Sequence, residues 1–231
     1  LEPGSEITIT GKVAHYLGRV LRLGPGEVIV LFNGDSHDYA AELVRFGKNE
    51  VAVAISSRLP AARESGMKII VAQAISRGER MDQTLQKCTE LGATAFQLLL
   101  SERVEVKLKA EKLIKRVEHW QAVVVSACEQ SGRAVIPEVH YPMSFHEWLA
   151  AGKGDCRLVL APGAEKPLTR MVLAGRVQLA VGPEGGFSES ELEQMESQGV
   201  QAVSLGPRVL RTETAGPAAV AVIQALAGDF A

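Results

Sequence analysis

From Met67 onward, short apolar runs alternate with segments whose apolar residues recur at helical spacing. That rhythm calls for a mostly parallel sheet with helices on both faces, because βαβ units place a helix over each face of the strands they join. Lys68 to Ile75 reads as a buried strand. Met81, Leu85, Cys88 and Gly92 then follow at helical spacing, with Gly92 placed as a C-terminal stop. Ala95 to Leu100 is the next strand, and Leu113, Val117, Trp120, Val124 and Ala127 form an apolar stripe on a long helix. Val135 to Val139 is interrupted by Pro137, which suits a sheet edge. Ser144 to Ala151 reads as a short helix, and Arg157 to Ala161 as a strand that ends at Pro162-Gly163. Ser188 with Glu191 makes a capping box opening a helix that Gly199 closes. Pro217 is expected in the first turn of a C-terminal helix.

Residues 1–58 have a different rhythm. Ile7 to Thr10 alternates, Val28 to Phe32 is apolar and β-branched, Asn33-Gly34 is a hairpin signal, and Val51 to Ile55 is a further short strand. Such a series suggests a small β-barrel. Leu59 to Gly66, with Pro60 and Gly66, is the expected linker. The domains expected are therefore 1–62 and 67–231.

The bulk properties narrow the class. The hydrophobic fraction of 46% supports a real core. No apolar run approaches the ~20 residues of a membrane span, and no signal-peptide pattern is present. The first residue is Leu1, so an initiator methionine is expected upstream. Three distant cysteines (Cys88, Cys128 and Cys156) and five scattered histidines offer neither a disulfide framework nor metal-ligand spacing. The expectation is a reduced, cytoplasmic protein without metal or membrane. The net charge of −2 conceals an uneven distribution, since residues 67–133 hold eleven Lys and Arg against eight Asp and Glu. Lys107, Lys109, Lys112, Lys115 and Arg116 form either a solvated helix face or a strip contacting phosphates.

The chemistry is concentrated at the ends of the last strands. No GxGxxG follows a strand, and neither a P-loop nor GxSxG is present, so a cofactor site must be built from sheet-end loops. Three such loops exist: Leu160-Ala161-Pro162-Gly163, Gly182-Pro183-Glu184-Gly185-Gly186, and Leu205-Gly206-Pro207-Arg208-Val209-Leu210. Each ends an apolar strand, where open α/β sheets bind ligands. Glycine lets a backbone approach a ligand closely, and consecutive N–H and C=O groups can hold a base edge and a ribose. Each loop can also be read as a tight turn. The third is followed by Arg211, Thr212 and Glu213, more polar chemistry than a connection needs.

GPEGGFSESEL followed by LGPRVLRTETA resembles the bacterial ribosomal RNA small subunit methyltransferase E family. Arg77-Gly78-Glu79-Arg80-Met81-Asp82 leading to Gln86 through Gly92, the Glu129-Gln130-Ser131-Gly132-Arg133 signature, and His15 through Leu23 extend the resemblance over almost the whole chain, in order. It implies a SPOUT-class fold with a C-terminal trefoil knot, preceded by a PUA-like RNA-binding barrel. It also implies S-adenosylmethionine (SAM) as cofactor, a uridine N3 in 16S ribosomal RNA of the small subunit as methyl acceptor, and a homodimer. The cofactor residues implied are Leu160, Ala161, Pro162, Gly182, Pro183, Glu184, Gly185, Gly186, Leu205, Gly206, Val209, Leu210, Thr214 and Ala215.

Methylation at N3 needs alignment of the reacting atoms and help with the N3 proton or the developing uridine anion. Arg211 can stabilise that anion, and Glu184 or Glu213 can accept the proton or fix the arginine; loop ion pairs and helix capping are the alternatives. His15, Arg19, Arg22, Arg77, Arg80 and Arg133 are RNA-binding candidates, each equally readable as surface charge or a structural ion pair. A related enzyme with another RNA target, such as a transfer RNA base or ribose, and a non-catalytic RNA-binding module remain as alternative functions.

Overall fold

The computed structural model describes residues 1–60, 64–105, 110–152 and 156–230. Residues 61–63 of the expected linker, and Lys107 and Lys109 of the basic strip, lie outside the described residues. The chain divides into two compact units, Leu1–Glu64 with Gly132–Ile136, and Ser65–Ser131 with Pro137–Ala231.

The first unit is a four-stranded antiparallel sheet built from β1 (Glu6–Thr10), β2 (Val28–Phe32), β3 (His37–Phe46) and β4 (Glu50–Pro60), in the order β1-β4-β3-β2. Between β1 and β2 lie a short helix, α1 (Gly11–His15), and a π-helical turn over Tyr16–Val20. Ala14 and Leu17 from this stretch close over Tyr39, Leu43, Val53 and Ile55, the inward residues of β3 and β4. The register of β3 on β4 shifts at Ala40/Ala41 and again at Leu43/Arg45, irregularities that bend and twist a sheet. Asn33-Gly34 does join β2 to β3, but the connection runs on to Ser36, with both Gly34 (φ 88) and Ser36 (φ 71) left-handed. Asp35 sustains the longer turn, accepting from His37 N at 3.0 Å and from Tyr39 Oη at 2.6 Å.

The second unit alternates as expected: β5 (Lys68–Ala74), α2 (Glu79–Glu90), β6 (Ala95–Leu100), α3 (Ala110–Ser131), β7 (Glu138–Ser144), α4 (Phe145–Ala151), β8 (Cys156–Leu160), β9 (Arg176–Val181), α5 (Glu189–Ser197), β10 (Gln201–Val203) and α6 (Thr212–Ala227). The six strands are all parallel, in the order β10-β8-β9-β5-β6-β7. Ala72, Ala74, Leu99, Val159 and Ala180 pack one face of the sheet against Phe145 and Trp148 of α4 and Met195 of α5. The group α2, α3 and α6 packs together, with α6 against β5 and β9. β7 is an edge strand, as expected, but it begins after Pro137 rather than across it. Proline has no N–H to give the ladder.

Strand order reverses between β5 and β9. From β5 the chain steps outward to β6 and β7; the later strands fill the other side. Ala72 is in register with Ala180 and Gln73 with Val181, so the C-terminal ends of β5 and β9 lie side by side at the point where α/β sheets open a crevice. The segment leaving β8 pairs with the end of β10 before it returns as β9. Ser204 N donates to Lys166 O at 3.0 Å, and Leu168 N to Ser204 O at 2.9 Å. The chain leaving β10 therefore runs beside this excursion in a short parallel bridge, and α6 packs on its Leu168–Arg170 turn.

The local stop and start signals behave as their chemistry dictates. Gly92 takes φ 90 just past α2, and Ser188 and Glu191 form a reciprocal capping box on α5. Pro217 is different. The helix starts at Thr212, with Thr214 N and Ala215 N both bonded to Arg211 O, so Pro217 lies inside α6, beyond the first turn. Extended backbone at Arg211 and the dense bonding of Thr212 set the start instead.

Candidate functional site

A cavity of about 500 Å³ lies at the C-terminal ends of β8, β9 and β10. Leu160, Ala161 and Pro162 contribute from the end of β8. The whole of Gly182, Pro183, Glu184, Gly185 and Gly186 contributes from the end of β9. Leu205, Gly206, Val209 and Leu210 follow β10, and Ala215 sits in the first turn of α6. Thr214 does not line the cavity; it is exposed on α6. The helical period explains this, since adjacent helix residues point about 100° apart.

The β9 loop is held in a shape that only glycine permits. Gly186 N donates to Pro183 O at 2.9 Å, Gly186 has φ 68, and a Cβ on Gly182 would sit 3.0 Å from Gly186 Cα. Arg103, at the end of β6, donates Nη1 to Gly185 O at 2.8 Å. Beneath the loop a polar chain runs through the switch point. Gln73 Nε2 donates to Thr212 Oγ1 at 3.0 Å, and Thr212 Oγ1 donates to Gly182 O at 2.8 Å.

Charged groups gather at one edge. Glu184 Oε1 accepts from Arg77 N at 2.9 Å and from Arg80 Nη1 at 2.8 Å. Burial pushes the Glu184 carboxyl up, but the Arg77 N–H, its own backbone N–H and Arg80 outweigh it and hold the group below the usual 4.5 of a glutamate. Glu184 is thus an ionised strut between its loop and the start of α2. Glu213 is different. Its Oε1 lies 3.7 Å from Arg80 Nε and 4.0 Å from Arg211 Nη1, while its Oε2 is buried with no hydrogen-bond partner among the described residues. Arg211 is 81% exposed. A second, more open cleft of about 550 Å³, lined by Arg77, Gly78, Glu79 and Gln83, meets the first at Arg80, Arg211 and Glu213. Arg77 also pairs with Glu105.

The remaining basic candidates lie in the first unit. His15, Arg19 and Arg22 are exposed on and after α1, and Arg22 has φ 56. Arg133 is buried at 4% exposure and donates Nε (3.0 Å) and Nη2 (2.7 Å) to Glu64. That is the geometry of a structural ion pair. The structure adds residues that spacing did not single out: Arg103, Phe187, Leu192 and Gln73. Gln73 carried a signal, being a polar residue inside an otherwise apolar strand. Arg103 carried only its place after a strand end. Among the described residues, no three His, Cys, Asp or Glu side chains are grouped to hold a metal, and no helix is long and apolar enough to cross a membrane.

Residues 63–224 match the RNA methyltransferase domain family, and residues 9–56 the RNA methyltransferase PUA domain family. The chain is similar to the ribosomal RNA small subunit methyltransferase E of Synechocystis sp., 35% identical over 95% of this chain and 73% of that protein. Two solved structures are also similar. A putative methyltransferase from Legionella pneumophila, in complex with SAM, shares 40% identity with a TM-score of 0.94 over 99% of this chain and 95% of that one. A ribosomal RNA small subunit methyltransferase E from Neisseria gonorrhoeae, bound to SAM, shares 39% identity with a TM-score of 0.94 over 100% and 96%.

Proposed function

Because this chain belongs to the ribosomal RNA small subunit methyltransferase E family, we propose that it methylates N3 of a uridine in 16S ribosomal RNA, using SAM. The observation that carries the reading is the meeting of two cavities at Arg80, Arg211 and Glu213, one lined largely by loop backbone and apolar side chains with charged groups at its edge, the other more open and lined by Arg77 and Glu79 beside the shared residues. The first has the size and character of a small-molecule site. Its Cβ-free cradle at Gly182 and the unpartnered buried oxygen of Glu213 suit a nucleoside with a cationic tail. The sheet-end loops 160–162, 182–186 and 205–210, with Ala215, would hold the cofactor, which when bound supplies an electrophilic methyl group.

The chain's own residues divide the remaining work. Arg211, and Arg80 behind it, present positive charge where a uridine oxygen would gain negative charge. Glu213, with one oxygen uncommitted, is the better placed carboxylate to accept the N3 proton or to orient a donor. Glu184, already ionised and doubly bonded, acts by holding Arg80. Arg77 in the open cleft, with His15, Arg19 and Arg22 in the first unit, would contact phosphates and set affinity without choosing sequence. The target base would have to leave its stack. Residues 1–62 are then the PUA-like RNA-binding domain and 67–231 the methyltransferase domain of a cytoplasmic homodimer.

The test is incubation with labelled SAM and small ribosomal subunits from a strain lacking the modification, followed by nuclease digestion and nucleoside chromatography. The expected product is labelled N3-methyluridine in 16S RNA. Label in transfer RNA or on a ribose would replace the acceptor, and the absence of label with intact cofactor binding would leave a binding module.

A further inference from the structure

Gln73 lies in the middle of the sheet, fully buried, at the C-terminal end of β5 and beside the point where strand order reverses. It lines neither of the two cavities described above. A buried carboxamide is costly unless bonded, so its presence in an apolar strand needs a reason. Its Nε2 donates to Ala74 O at 2.9 Å and to Thr212 Oγ1 at 3.0 Å. Val181 O at 3.5 Å and Gly182 O at 3.4 Å are longer acceptors of the same nitrogen, and an amide nitrogen set among acceptors fixes which way the carboxamide faces. The Thr212 hydroxyl has one proton, and Gly182 O, 2.8 Å away, takes it. The chain therefore has one direction: carboxamide to hydroxyl to carbonyl.

Its two ends belong to different cavity loops. Gly182 opens the glycine-rich loop after β9, and Thr212 begins α6 where the loop after β10 ends. Gly216, one turn further along α6, packs over Thr84 and Cys88 of α2, and a Cβ there would come within 3.8 Å of Gln73 Oε1. Helix α6 is thus seated directly on the carboxamide.

We propose that Gln73 is a positioning residue that locks these two loops to each other, so that the cavity is formed before any ligand arrives. The inference rests on the methyltransferase reading for its consequence, but the lock itself is a property of the ligand-free chain. Preformed sites bind more tightly because less ordering remains to be done on binding.

Gln73→Met keeps the volume and removes the donors, and Thr212→Val does the same to the hydroxyl. Hydrogen exchange of the ligand-free proteins should speed up in Gly182–Gly186 and in Leu205–Thr212 together, with β6 and β7 unchanged. By calorimetry, SAM affinity should fall by about tenfold to thirtyfold in each variant, the effect expected when a buried hydrogen bond is broken. The KM for SAM should rise more than kcat falls. The double variant should be no worse than the weaker single, because both break one chain. Thr212→Ser should restore affinity and slow exchange. Faster exchange confined to one loop, additive losses, or unchanged SAM affinity in folded Gln73→Met would overturn the proposal. If Gln73→Met does not fold, the Thr212→Val and Thr212→Ser pair decides alone. Coupled exchange of both loops in a wild-type protein that fails to bind SAM would keep the lock and reject the methyltransferase reading.

Discussion

Arg211 and Glu184 stand within one ring of charge yet act in opposite ways. Arg211 is held by little more than a 4.0 Å approach to Glu213 and projects to solvent, so its guanidinium is available to an incoming base. Replacing it with lysine keeps the charge but loses the planar fork. Arg211→Lys should leave SAM affinity near normal and lower turnover by about 10² to 10³, the usual loss for a donor to developing negative charge. Single-turnover kinetics beside calorimetry would check both, and near-normal methylation would remove Arg211 from the reaction. Glu184 is committed to Arg77 N and Arg80. Its folded pKa lies below the usual 4.5, so its stabilising effect is present above that value and disappears as pH falls through the folded one. Urea titrations of wild type and Glu184→Gln should therefore differ at neutral pH and converge at acidic pH, modestly because Arg80 is substantially exposed. A gap that widens on acidification would contradict the assignment.

The loop after β9 owes its shape to absent side chains as much as to those present. A methyl group on Gly182 would meet Gly186 Cα at 3.0 Å, and Gly186 C and Phe187 N at 3.1 Å. These are backbone atoms, fixed in turn by the Gly186 N to Pro183 O bond. Gly182→Ala should force the loop outward, sharply weakening SAM binding while changing the melting temperature little, because the buried strand β9 ends before it. Calorimetry and thermal denaturation on the same preparation would separate the two, and unchanged binding would show the loop to be compliant. Its far end is anchored independently. Ser188 caps α5, and Glu191 both returns to Ser188 N at 2.9 Å and accepts from Glu102 N at 2.8 Å, tying the helix start to the end of β6.

Helix α6 is only partly covered by its own chain. Ala219, Val220 and Ile223 are fully buried, yet Leu226 is 39% exposed and Phe230, just beyond the helix, 53%. An apolar helix with one covered side calls for cover on the other, and a two-fold contact would supply it. Light scattering at micromolar concentration should give a dimer, and Leu226→Glu with Phe230→Glu should give a folded monomer. A monomeric wild type would remove the dimer from the account. Three long-range connections within the second unit converge on this helix: Ser65 Oγ donates to Gln224 Oε1 at 2.7 Å, Gln224 Nε2 to Leu91 O at 3.1 Å, and Gln73 reaches its first residue.

Periodicity and turn chemistry made legible the alternation from Met67 and the series of short strands in residues 1–58, because the burial of side chains every second or every third to fourth residue is a local property of the backbone. Gly92 and the Ser188–Glu191 box were readable for the same reason: each satisfies groups within a few residues of itself. The loops at the strand ends were legible from composition, and the cavity brings nearly all of them together except Thr214. Pro217 misled because a proline reports only its own φ and missing N–H, whereas the start of α6 was decided by Thr212 bonding to Gly182, thirty residues earlier. Still longer separations in sequence hid Gln73, Arg103 and the pairing of Arg133 with Glu64. Whether an arginine faces a partner carboxylate or solvent, and whether a buried amide completes a chain, is a matter of which strands lie next to each other. Strand order joins residues far apart in sequence, and it is settled only when helices and strands pack together.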